Sequence, residues 1–89
     1  MRRAPRKDAN HTEIVSALRG VGADVVDLAA VGEGVPDILV AFRGVLYLLE
    51  LKTAKGKLTP AEAAWHQAWR GPVAIVRSVD EALRIIGAI

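Results

Sequence analysis

The sequence predicts an α/β domain with the element order α-β-β-β-α-β-α, and three observations support this prediction. Capping residues followed three positions later by Glu occur at three points, each before an apolar run with helical spacing. Two continuous apolar segments flank a two-residue turn, as in a β-hairpin. At 89 residues without cysteine, the chain has room for one small core and no disulfides. We therefore expect one domain over residues 10–89, after a basic and disordered arm at residues 1–9.

The first helix is predicted to start at Asn10, which acts as the cap, with Glu13 completing a capping box. Glycines at positions 20 and 22 end the apolar repeat of this helix. Residues 23–28 are short and rich in valine, which favours a strand, and a glycine-rich loop follows over residues 32–36.

The central hairpin is predicted over residues 37–42 and 45–51, joined by Arg43-Gly44. Both strands are apolar at successive positions, so neither of their faces is predicted to be open to water. Such continuous hydrophobicity favours central strands with helices packed on both sides of the sheet.

Two more helix starts organise the second half of the chain. Thr59 is the predicted cap of a helix with Pro60 at its first position and Glu62 at its third. Residues 73–76 form a predicted fourth strand. Ser78 then opens the last helix with a second cap and a Glu at position 81.

The hairpin also predicts a site. If Arg43 and Gly44 are the turn, Asp37 lies opposite Glu50, and Lys52 lies on the same face because side chains alternate along a strand. Opposed carboxylates among apolar residues are costly unless a cation compensates them. An all-oxygen pair of this kind suits Mg²⁺ or Mn²⁺, and the adjacent lysine could stabilise charge that develops on a phosphate. A register shift of one residue would separate the two carboxylates.

The net charge of +2 conceals a segregation along the chain. Residues 1–10 carry four basic side chains and one acidic one, residues 11–42 have a net charge of −4, and residues 43–89 return to +3. This pattern is typical of a solvated surface, and it also fits a polyanion-binding surface around an acidic metal site. The absence of cysteine, of a membrane-length apolar stretch and of a signal-peptide core favours the cytoplasm, without a membrane partner.

Two sequence motifs surround the predicted pair of carboxylates. One is Pro36-Asp37 followed by Glu50-Leu51-Lys52, and the other is the stretch at residues 56–60, Gly-Lys-Leu-Thr-Pro. The first resembles the signature of the PD-(D/E)xK nuclease superfamily, and the second resembles, more specifically, the VRR-NUC family within it. The resemblance extends from about residue 10 to residue 86. It implies a restriction-endonuclease-like core with a mixed central sheet flanked by helices.

The resemblance also implies site roles. Asp37, Glu50 and Lys52 would be catalytic, and the metal, Mg²⁺ or Mn²⁺, would be held by Asp37, Glu50, the Leu51 carbonyl and an acidic residue on the first helix, here Glu13. The expected activity is that of an endonuclease that hydrolyses DNA phosphodiester bonds. Standalone members of the family are typically viral homodimers that cut branched DNA such as Holliday junctions. This implies a branched or duplex DNA partner, a homodimer and the cytoplasm of a bacterial or phage-infected host cell.

Some candidate residues keep two interpretations. Glu13 and Glu62 fit either a site contact or a capping box, and Glu62 stands where the family commonly has Gln. Basic residues of the arm and of the loop after Lys52 fit either DNA binding or simple solvation: Arg2, Arg3, Arg6, Lys7, Lys55 and Lys57. His66 lies one helical turn after Glu62 and could face the site, but we expect it to be exposed on its helix.

Two other function classes remain open from the sequence. One is a DNA-binding module that has the nuclease fold but no turnover. The other is a structural or regulatory dimer in which the acidic pair binds metal only for stability. Cleavage of DNA in the presence of metal discriminates the first from a nuclease, and DNA affinity discriminates the second.

Overall fold

The structure is a computed structural model that describes the backbone of residues 9–89 and the side chains of residues 10–89. The predicted basic arm therefore lies outside the described residues, apart from the helical backbone of Ala9. The observed element order matches the predicted one. The elements are α1 (Ala9–Gly20), β1 (Asp24–Asp27), β2 (Ile38–Phe42), β3 (Val45–Leu51), α2 (Pro60–Ala68), β4 (Ala74–Val76) and α3 (Val79–Ile85).

The four strands form one mixed sheet in the order β1-β2-β3-β4. The first three strands are antiparallel to their neighbours, and the two-residue turn at Arg43-Gly44 joins β2 to β3. Strand β4 reaches β3 through α2 and runs parallel to it, as the longer crossover allows. The prediction of an α/β domain with a mixed central sheet is confirmed.

One face of the sheet carries the hydrophobic core. Side chains at alternate strand positions meet apolar side chains from α1 and α3 there, consistent with the period of two along a strand. Ile14 and Leu18 of α1 are fully buried, as is Ala82 of α3. The strands contribute Ile38, Val40, Phe42, Leu49, Leu51 and Val76 to the same core.

The opposite face is only partly covered. Helix α2 lies over one end of it and contributes no buried residue of its own. Val26, Leu46 and Ile75 on this face are 52%, 67% and 38% exposed. The prediction of helices on both sides is thus met over one face and over only part of the other. The apolar strand pattern therefore includes a side of the sheet that the described residues leave partly exposed.

The predicted caps have different outcomes. Thr59 forms the full capping box with Glu62. Ser78 caps α3, although the Glu81 carboxylate accepts from the backbone of Arg77 instead of the cap residue. The box predicted at Asn10 is wrong, because α1 begins at Ala9 and the Asn10 side-chain oxygen is buried without a hydrogen-bond partner.

The loop before β2 is fixed by a close approach to α2. Gly34 has φ +81°, and a Cβ built on it would lie 2.2 Å from the backbone oxygen of Ala61. Only glycine allows this contact, which holds the loop leading to Asp37 against the start of α2. Within residues 9–89, no helix is long and apolar enough to cross a membrane.

Candidate metal-dependent active site

The hairpin register brings two acidic residues together. Phe42 pairs with Val45 and Ile38 pairs with Leu49, so the next pair outward is Asp37 with Glu50. Both turn residues, Arg43 and Gly44, have positive φ, as a type I′ turn requires. The predicted register is therefore confirmed, and the two carboxylates lie on the face that α2 partly covers.

Asp37 is anchored through its side chain and its backbone. Its Oδ2 accepts a hydrogen bond of 2.7 Å from the backbone N–H of Leu51, and its backbone carbonyl accepts one of 2.8 Å from Leu28. Pro36, immediately before it, is buried. These contacts hold the Asp37 carboxylate at the end of the hairpin. They also fix the direction of its second oxygen.

Glu50 is the most buried charged residue of the described chain, at 1% exposure. Burial, the hydrogen bond to Asp37 and the charges of Asp37 and Glu62 raise the pKa of Glu50 from 4.5 to about 9. The positive charge of Lys52 opposes this shift but does not outweigh it. Ionisation of a carboxyl group in this position costs free energy unless a cation binds beside it.

Lys52 forms an ion pair with the start of α2. Its Nζ donates to Glu62 Oε1 at 2.6 Å, and both side chains are mostly buried. Burial alone would lower the pKa of Lys52, but the hydrogen bond and charges of Glu62, Glu50 and Asp37 raise it above its ordinary value. Burial likewise opposes the charge on Glu62, whose pKa is nevertheless lowered by Lys52 and by the Thr59 backbone N–H. Both members of the pair are therefore charged at neutral pH.

The donor set fits a hard divalent cation. Asp37 and Glu50 supply oxygen ligands, and the backbone carbonyl of Leu51 follows directly in the chain. No preformed cage of three or more His, Cys, Asp or Glu side chains occurs among the described residues. An open site with two carboxylates, a carbonyl and water is the arrangement that Mg²⁺ commonly uses.

Comparison with known proteins supports the resemblance in the sequence. No family model matches the chain, and no curated protein sequence matches it. A search of solved structures finds similarity to a VRR_NUC domain with a TM-score of 0.68 and 27% identity. The alignment covers 85% of this chain and 88% of the other. The chain is therefore similar to the VRR-NUC domain family in its fold as well as in its motifs. It is a nuclease-type domain, and its predicted fold is confirmed.

Two residues that the sequence did not assign to the candidate site lie beside it. Asn10 donates from Nδ2 to the backbone carbonyl of Lys52 at 2.8 Å, and thereby joins α1 to the end of β3. His66 Nε2 lies 3.5 Å from Glu50 Oε1, and its side chain is 14% exposed. The expectation of an exposed His66 is wrong. Its spacing of one helical turn from Glu62 was the available signal, because residues four apart share a helix face.

The other predicted site residues lie further from the two carboxylates or outside the described residues. Glu13 is exposed on α1 and makes no hydrogen bond or ion pair with another residue in the described part of the chain. Its role as a metal ligand stays a prediction. Lys55 and Lys57 are exposed in the loop after Lys52. Arg2, Arg3, Arg6 and Lys7 lie outside the described residues.

That loop is held by an arginine from the end of β4. The Arg77 guanidinium donates to the backbone carbonyls of Thr53 at 2.8 Å and Gly56 at 2.7 Å. These bonds fix the backbone on both sides of Lys55 and close to Lys57. The two lysines therefore lie on an ordered loop beside the candidate site.

Proposed function

We propose that this VRR-NUC domain is a divalent-metal-dependent endonuclease that hydrolyses DNA phosphodiester bonds. The observation that carries the proposal is the convergence of Asp37, Glu50 and Lys52 at one end of the hairpin, on one face of the sheet. A protein that only binds DNA has no need for a buried pair of opposed carboxylates, which reduces stability unless a cation joins it.

Each site residue has a role in this proposal. Asp37, Glu50 and the Leu51 carbonyl hold Mg²⁺ or Mn²⁺, and Glu13 is a further candidate ligand from α1. The bound metal supplies Lewis-acid polarisation of the phosphate and a water of lowered pKa. Lys52 places its ammonium group beside the two carboxylates, where it stabilises negative charge that develops on the phosphate.

DNA is the proposed substrate because the site is bordered by cations. Lys55 and Lys57 contact the phosphate backbone from the loop that Arg77 holds. The arm residues Arg2, Arg3, Arg6 and Lys7 add a second basic segment to the same chain. Binding through such contacts is expected to weaken as the salt concentration rises.

We further propose that the domain acts as a homodimer on branched DNA. One chain carries one site, so coordinated cutting of two strands needs two chains. The incompletely covered sheet face, with Val26, Leu46 and Ile75 exposed, is the surface we assign to the second copy. Analytical ultracentrifugation of Leu46→Asp against wild type tests this. The dimer proposal predicts that only the variant is monomeric, and a monomeric wild type would contradict it.

The activity is tested with metal-free protein and three labelled substrates, namely a four-way junction, linear duplex and single-stranded DNA. We expect cleavage with Mn²⁺ or Mg²⁺, none with EDTA, and preference for the junction. Lys52→Ala should abolish cleavage and retain DNA binding, whereas Arg84→Ala, which removes an exposed base on α3, should cleave normally. If wild type binds all three substrates without cutting any, the domain is a DNA-binding module instead.

A further inference from the structure

Helix α2 is attached to the rest of the protein mainly at its start and through polar groups. None of its side chains is fully buried, and the backbone of Ala61 rests on Gly34. The two side-chain polar contacts described between α2 and the end of β3 both go to the candidate site: Glu62 to Lys52, and His66 to Glu50. A helix that adds so little to the core is held in place by the groups that it presents to this site.

A single oxygen of Glu62 makes the decisive contacts. Glu62 Oε1 accepts from the backbone N–H of Thr59 at 2.8 Å and from Lys52 Nζ at 2.6 Å. The capping bond fixes where the carboxylate lies, and the carboxylate then fixes where the ammonium group lies. Glu62 is therefore the capping-box residue of α2 and also the partner of Lys52, a candidate site residue.

The location of the Lys52 ammonium group matters because its nearest alternative partners are the proposed metal ligands. Glu50 and Asp37 also interact electrostatically with Lys52. A lysine on a flexible stem that lost Glu62 would turn toward these two carboxylates and compete with a divalent cation for them. Glu62 gives Lys52 another partner, on the helix side of the site.

We propose that Glu62 is a positioning residue that holds Lys52 beside the Asp37 and Glu50 carboxylates and so keeps those carboxylates available for a divalent cation. The inference rests on the proposed metal-dependent function. It assigns Glu62 an action through Lys52, with no direct contact to metal or substrate. The two effects are separable, because an action through Lys52 disappears when Lys52 is removed.

The first experiment measures metal affinity without an activity assay. Thermal unfolding of metal-free protein is followed against Mn²⁺ concentration for wild type, Glu62→Gln, Lys52→Met and the double variant. We expect Glu62→Gln to raise the Mn²⁺ concentration for half-maximal stabilisation about tenfold, as is usual when an orienting group near a metal site is removed. In the Lys52→Met background the same substitution should change it less than twofold. A tenfold effect that persists without Lys52 would overturn the proposal.

Thr59→Ala is the matched control for the helix cap. It removes the hydrogen bond from the Glu62 N–H to Thr59 Oγ1 and leaves the Glu62 carboxylate bonded to Lys52. We expect it to lower the melting temperature with no change in the half-saturating Mn²⁺ concentration. Equal effects of Thr59→Ala and Glu62→Gln on that concentration would mean that Glu62 acts only as a cap.

A second measurement keeps this inference apart from the proposed function. The ¹H–¹⁵N signal of the Lys52 ammonium group should be protected from exchange in metal-free wild type and in Thr59→Ala, and lost in Glu62→Gln. An unprotected signal in wild type overturns the positioning role, whatever the metal does. Conversely, a protected signal together with no Mn²⁺ effect on wild-type unfolding supports the Lys52–Glu62 contact and contradicts the metal-dependent function.

Discussion

The carboxylate of Asp37 accepts a hydrogen bond from the backbone N–H of Leu51 across the hairpin, at 2.7 Å. This bond ties the first acidic residue of the site to the residue between Glu50 and Lys52. The backbone of the three candidate catalytic residues is therefore held in one arrangement before any metal or DNA is bound.

Asp37→Asn should separate metal binding from folding. The amide oxygen can still accept the bond from Leu51, so we expect a melting temperature close to that of the metal-free wild type. Wild type at a Mn²⁺ concentration 100 times its dissociation constant should gain about 2.7 kcal/mol of stability, and Asp37→Asn should gain almost none. Asp24→Asn, an exposed acid on β1, is the control and should respond to Mn²⁺ like wild type.

The raised pKa of Glu50 predicts how metal-free stability depends on pH. In the unfolded chain Glu50 ionises near 4.5, whereas in the folded state its pKa is about 9. Between these two pH values the folded state holds one more proton than the unfolded state. Glu50 therefore lowers the free energy of unfolding by up to about 1.4 kcal/mol per pH unit as pH rises through this window.

The measurement is denaturant unfolding in EDTA at pH 5 and pH 8 for wild type and Glu50→Gln. We expect Glu50→Gln to be more stable than wild type at pH 8, and the advantage to shrink at pH 5. Saturating Mn²⁺ at pH 8 should stabilise only the wild type. An advantage of the variant that is independent of pH would contradict a protonated Glu50.

The contact between Gly34 and Ala61 predicts a large effect of one methyl group. Gly34→Ala places a Cβ on the Ala61 backbone and also keeps an unfavourable positive φ, so we expect a loss of several kcal/mol. Gly32→Ala is the matched control, because Gly32 has φ +73° and open space around it. It should cost only the backbone term, about 1 kcal/mol. Similar losses of unfolding free energy in both variants would show that α2 does not press on this loop.

We expect His66 to hold the Glu50 carboxyl group in position, because its Nε2 lies 3.5 Å from Glu50 Oε1. Removing a polar neighbour of a buried metal ligand commonly reduces activity or metal affinity 10-fold to 100-fold. His66→Ala should therefore slow cleavage at least tenfold at fixed Mn²⁺, with Gln67→Ala on the same helix as the exposed control. Cleavage rates of both variants that match wild type would leave His66 without a role at the site.

Most of the fold could be predicted from local signals. The cap at Thr59 and the turn at Arg43-Gly44 each depend on residues that are only a few positions apart in the sequence. The cap predicted at Asn10 is wrong because of a long-range contact: the Asn10 side chain donates to the carbonyl of Lys52, 42 residues away in the sequence. A residue type that is typical of a helix cap carries no information about a distant competing acceptor.

The sequence by itself determined the pairing of Asp37 with Glu50 and the placement of Lys52 on the same face. A two-residue turn and a side-chain period of two leave no freedom in that register. Only the tertiary structure decided that Lys52 pairs with Glu62, that His66 approaches Glu50 and that one sheet face stays partly open. These features depend on where α2 packs. Helix α2 is positioned by the contact between Gly34 and Ala61 and by the pairs Lys52–Glu62 and Glu50–His66. Such long-range contacts are not encoded in the periodicity of the sequence.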